Sequence, residues 1–206
     1  VIGQRETSPA VNRLRMLWAA MREAVLERFP PPPGLPRDVK AYLHQVEDVY
    51  ATDAYHSLSI EGYRVSAELI ERVRSGNWNP ESEADRSHQD ALAARGYWQA
   101  FQKVKDTVSR IVQRANAGEA TQADHGTWYR EMFGPGNAAG TLKPGDLAGY
   151  RNGPVHIRQS MYVPPRSEAV RELMPAFFDL LRDEPEASVR VVLGHFFFVN
   201  IHPYFD

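Results

Sequence analysis

The chain has 206 residues, 43% hydrophobic, 11% aromatic and 24% charged, which is the balance of a packed domain rather than of a disordered, collagen-like or fibrous chain. A net charge of -2 leaves no general basic footprint and so gives no strong nucleic-acid signal; the absence of cysteine removes disulfides, thiolate zinc sites and cysteine nucleophiles. A reducing compartment, the cytoplasm, fits best, and no membrane span is expected, because the longest apolar stretch, Val191 to Ile201, falls far short of the roughly 20 residues a span requires.

Between Pro9 and Phe29 apolar residues (Val11, Leu14, Trp18, Met21, Val25) recur at helical steps, with Ser8 placed as N-cap and Pro9 at the first helical position. The run Pro30 to Pro33 ends that helix in a stiff connector. Asp38 is placed to cap a second helix through Val39, Tyr42, Leu43, Val46 and Tyr50 to about Tyr55, and a third runs from Ser66 to just before Gly76. Pro80 opens a long helical pattern that includes Tyr97, Trp98, Phe101, Val108 and Ile111 and is expected to stop around Gly118, with Thr121 and Asp124 resembling a capping box for a short helix to Phe133. Trp18, Tyr97, Trp98 and Phe101 fall at core spacing. From Gly134 to Pro165 Gly, Pro and Asn are dense, and the alternating segments Val155-His156-Ile157 and Met161-Tyr162-Val163 predict a small hairpin. Helical periodicity returns from Ser167 to Arg182, and Val189 to Ile201 is apolar nearly all round, as the central helix of a bundle would be. The expected fold is mainly α, with one β-hairpin flap, in two regions: 1–115, helical, and 116–206.

The last helix delivers Ile201-His202-Pro203-Tyr204-Phe205-Asp206. An imidazole where an apolar helix breaks at proline, with a carboxylate four residues on, combines a proton acceptor with a ligand for a hard cation. His195, seven residues earlier, is expected as a core histidine, and the other five histidines show no metal spacing.

The segment from His195 to Asp206 resembles the start of the Fic family's signature, His-Pro-Phe-x-Asp/Glu-Gly-Asn-Gly/Lys-Arg, with tyrosine in place of the usual phenylalanine. Upstream, Gly149-Tyr150-Arg151-Asn152-Gly153-Pro154-Val155-His156-Ile157 resembles the hairpin flap that precedes this motif, and Ser57-Leu58-Ser59-Ile60-Glu61-Gly62 fits the family's inhibitory pattern [ST]-x-x-x-E-[GN]. The resemblance implies a Fic-like helical bundle that transfers the AMP part of ATP to a hydroxyl side chain of a target protein. In that reading His202 deprotonates the hydroxyl and Asp206 holds Mg²⁺. Val155, His156 and Ile157 dock the target by strand pairing. Ser57, Glu61 and Gly62 belong to the inhibitory helix, Glu61 taking an arginine that would otherwise hold the γ-phosphate. Arg151 is expected to support the flap.

The rest of the signature, whose backbone amides and arginines would cradle the phosphates, would follow Asp206. Because the chain starts at Val1 and stops just after an apolar segment, a longer natural protein is expected. The residues leave open a non-catalytic Fic-like interaction module, a Fic enzyme with altered chemistry such as AMP removal, and a homodimer.

Overall fold

The computed structural model describes residues 8–77, 89–138, 143–157 and 160–205. Among these it is mainly helical, with eight α-helices: α1 (Pro9–Arg28), α2 (Val39–Asp48), α3 (Tyr50–Ile60), α4 (Ala67–Arg74), α5 (Gln89–Val112), α6 (Ala117–Ala138), α7 (Ser167–Asp183) and α8 (Ala187–Ile201), with a 3-10 turn at Pro144–Ala148. None is long and apolar enough to cross a membrane. The chain divides into two compact units, Val1–Gly34 with Asn116–Gln122 and Gly149–Asp206, and Leu35–Ala115 with Ala123–Ala148.

The helix starts follow their caps. Ser8 Oγ accepts from the Val11 N–H at 3.4 Å, Asp38 from Ala41 at 2.9 Å and Ser66 from Leu69 at 3.2 Å, each satisfying an N–H that has no partner within its helix. The expected second helix is broken at Val49 into α2 and α3. The Pro80 start of the long pattern lies outside the described residues.

In the first unit α1, α7 and α8 pack together around Val11, Leu14, Trp18, Val170, Phe177, Phe178, Leu193, Phe197 and Ile201, with Trp18 stacked on Phe197 at 5.7 Å. Gly118 does not stop a helix; it lies in the first turn of α6. A Cβ there would come 2.3 Å from the Arg182 nitrogen, so the missing side chain lets α6 approach the end of α7, where Asn116 Nδ2 donates to the Arg182 carbonyl at 3.0 Å. The capping box is likewise corrected. Asn116 Oδ1 accepts from the Glu119 N–H, and Thr121 and Asp124 sit inside α6.

Before α8, the buried Glu184 carboxylate accepts Arg22 Nε at 2.9 Å, Arg22 Nη2 at 3.0 Å, the Trp18 indole N–H at 3.4 Å and the Glu186 N–H at 3.1 Å. Burial alone would raise this carboxyl, but the bonds from Arg22, Glu186 and Trp18 outweigh it and hold it below the usual glutamate range. The same donors stabilise the charge that burial penalises.

α8 is not enclosed on all sides. Val189, Leu193, Gly194, Phe197 and Ile201 are buried, whereas Val191, His195, Phe196 and Val199 are exposed, so His195 is a surface residue rather than a core one. A uniformly apolar composition gives no periodic signal from which to find the packed face.

In the second unit α3 and α4 pack on α5 around a cluster of Tyr50, Ala54 and Ile70, and the Tyr50 ring lies 4.6 Å from Trp98 and 5.0 Å from Phe101. Asp124, brought up by α6, accepts from Thr107 and Arg110 of α5.

Candidate functional site

α8 stops at His202 because Pro203 has no N–H to offer and disfavours the helical conformation at the residue before it. His202 adopts φ 47 and ψ 65, left-handed and unusual for a residue with a side chain. It is half-buried, and its own N–H closes the helix on the Phe198 carbonyl at 3.0 Å.

The carbonyls left open at this end find donors in the segment after Gly149. Arg151 is 1% exposed. It donates from Nε to the His202 carbonyl at 2.6 Å, from Nη2 to Ile201 at 3.3 Å and to Pro165 at 2.5 Å, and from Nη1 to Gly153 at 2.9 Å. Its backbone N–H donates to the Pro203 carbonyl at 2.8 Å. Burial pulls the guanidinium below its usual value, partly countered by the charge of Glu168. Tyr162 Oη donates to Asn200 at 2.9 Å, and partial loss of water around it raises its phenol although the residue as a whole is exposed. The rings of Tyr150 and Tyr204 meet at 5.4 Å, and Phe205 lies beside Gly153.

The expected hairpin is not formed. No strand occurs among the described residues: Val155 to Ile157 and Met161 to Val163 are irregular, and Ser160 N–H donates to the Ile157 carbonyl at 3.1 Å. Two short strands gain too little from pairing to hold themselves, and Arg151 and Tyr162 of this segment bond the end of α8 instead. Val155 and Ile157 are half-buried; His156, Met161, Tyr162 and Val163 are exposed.

Asp206 lies outside the described residues. Among the residues described, no three His, Cys, Asp or Glu side chains are grouped as a metal site.

The inhibitory pattern lies in the second unit at the end of α3. Ser57 is half-buried and its hydroxyl donates to Tyr97 Oη at 3.2 Å, while that phenol donates its one proton to Asp53 at 2.5 Å. Burial, then the Asp53 bond, pushes the Tyr97 phenol up to about 12. Glu61 is exposed at the C-cap. Gly62, at φ 91, is the left-handed residue of a Schellman ending: its N–H donates to the Ser59 carbonyl at 3.1 Å, the Tyr63 N–H donates to Leu58 at 3.0 Å, and the Tyr63 side chain packs against the cluster of Leu58.

Sequence reasoning found His202 and the segment beside it but gave Arg151 only a supporting place in the flap. Its sole signal was a lone arginine between Gly149 and Gly153, which does not say what it bonds. Compared with family models, with curated proteins and with solved structures, the chain matches none.

Proposed function

We propose that this chain carries a Fic-type adenylyl-transfer site, which moves the AMP part of ATP onto a hydroxyl side chain of a target protein. The observation that carries the reading is the union of both motif segments at one end of one helix: His202 turns out of α8 where Arg151 and Tyr162 bind that helix's last carbonyls. In the reaction the target oxygen attacks the α-phosphorus, the bond from that phosphorus to the oxygen bridging it to the β-phosphate breaks, and pyrophosphate leaves. The His202 imidazole takes the hydroxyl proton, a task suited to a side chain whose ordinary pKa is about 6.5.

Mg²⁺, when bound, offsets charge on the nucleotide phosphates. Asp206 is the residue of this chain that would hold it, with phosphate oxygens and water completing the set, as is usual for this ion.

The flap hairpin belongs to the target-bound state. An extended target segment would add the third strand that two short strands need, and the exposed Met161 and Val163, at 99% and 71%, give it an apolar surface to meet. Restraint falls to Glu61, whose exposed carboxylate is available to an arginine.

The test is transfer of labelled AMP from ATP by the full-length natural protein, beside its His202→Ala variant. Labelling of protein that depends on His202 supports the reading. Labelling that is unaffected removes His202 as the base. Stable capture of a target peptide without any transfer would favour the interaction module.

A further inference from the structure

Arg151 is a buried cation whose four side-chain acceptors are all carbonyl oxygens. Two of those carbonyls, Ile201 and His202, close α8; the others, Gly153 and Pro165, lie near the two ends of the segment beside it. A helix terminus left open by proline attracts a cation, because its last carbonyls are unpaired and carry the negative end of the helix dipole. A surface lysine would meet that demand, so the burial of an arginine calls for a further reason.

That reason is found at His202. Two local preferences oppose its conformation: a residue before proline favours extended backbone, and the left-handed region crowds any side chain. His202 nonetheless sits at φ 47. A contact distant in sequence reaches it there: Arg151 Nε donates to its carbonyl at 2.6 Å. A planar guanidinium with five donors in a fixed fork can serve four carbonyls lying in different directions, whereas an ammonium presents its donors from a single point.

We propose that Arg151 is a positioning residue: by bonding the carbonyls of Ile201, His202, Gly153 and Pro165 it holds His202 left-handed and so fixes the direction in which the imidazole leaves the backbone. The proposal draws on the adenylyl-transfer reading only for its kinetic readout.

The experiment compares the full-length natural protein with its Arg151→Lys variant by crystallography and by AMP transfer from labelled ATP. With lysine, His202 is expected to relax to extended backbone, and the rate constant at saturating ATP to fall about 10²-fold, as for a misplaced catalytic group, with little change in KM for ATP. The proposal is overturned if His202 keeps φ near 47 in the variant, if it moves and the rate does not, or if only KM changes. A parent protein that transfers no AMP refutes the adenylyl-transfer reading alone, and the crystal comparison then decides the role of Arg151. If Arg151→Lys does not fold, His202→Gly carries the test. Glycine takes the left-handed region without steric cost, so His202→Gly should melt about 2 °C above His202→Ala, which lacks the same side-chain contacts but keeps the Cβ, and an equal or lower melting temperature would show that Arg151 has no strained conformation to hold.

Discussion

Helices α3 and α8 both finish at a left-handed residue, but by different means. At α3 the residue is Gly62, which meets no steric penalty, and the closing bonds are backbone to backbone. At α8 it is His202, where a side chain makes the same conformation costly, and a buried arginine supplies the bonds that offset the cost. The start of α8 is also held by charge, through Glu184 and Arg22. The difference teaches where to look for function. The α3 ending is what any helix would adopt, whereas the α8 ending places a side chain where backbone preference alone would not, which is why His202 is the residue to test.

The largest expected effect tests that contrast directly. His202→Ala should lower AMP transfer by about 10² to 10⁴-fold, the range of general base catalysis, and leave the fold intact. Equal transfer by both proteins would make the α8 ending as ordinary as the α3 ending. Next comes Glu184→Ala at the other end of α8. It strands Arg22 and the Trp18 indole and should cost about 2–3 kcal/mol in chemical denaturation, at or below the low end for a broken buried pair, because Arg22 keeps 33% of its side chain exposed.

The same carboxylate gives a pH signature. Its folded pKa lies below the unfolded value, so its contribution is complete above about pH 5 and is lost as the pH falls through the folded pKa. Denaturation midpoints measured between pH 7 and pH 3 should therefore fall more steeply for the parent than for Glu184→Gln; parallel curves would remove the pair from the account.

Gly62→Ala should cost about 1 kcal/mol, the penalty of a Cβ at positive φ, since nothing lies within 4 Å of that Cβ. A cost above about 3 kcal/mol would mean that the α3 ending carries more than its backbone bonds. The smallest effect on stability belongs to Glu61→Gly, no more than about 1 kcal/mol, because the residue is exposed at a helix end. In the full-length protein the same change should raise AMP transfer, and a well-folded variant with unchanged or reduced transfer would exclude Glu61 as the restraint.

The helix starts were legible because a cap is a local event: Ser8, Asp38 and Ser66 each bond an N–H three residues ahead. Gly118 misled for a different reason. Glycine marks both a helix end and a close backbone approach, and only the position of Arg182 decides between them. The alternation of 155–157 and 161–163 described how those residues would pair without revealing that Tyr162 Oη bonds the end of α8 and that Ser160 N–H bonds back to Ile157. At the candidate site, the motifs singled out His202, but the bonds of Arg151 could not be read, because its carbonyl partners at 201 and 202 lie some fifty positions away.

The bonds from Trp18 and Arg22 to Glu184 span 166 and 162 positions of chain, and this sets a timetable for the first unit during synthesis. A ribosome adding about 5–20 residues per second needs on the order of ten seconds or more to pass from α1 to α7 and α8. Until then Val11, Leu14 and Trp18 have no core to enter. The stretch 35–115 of the second unit, whose α2 to α5 follow one another closely, can gather first, since contacts between near neighbours require little loop closure. Between the synthesis of α1 and that of α7 and α8 the nascent chain therefore carries a helix whose apolar face has no partner from its own unit.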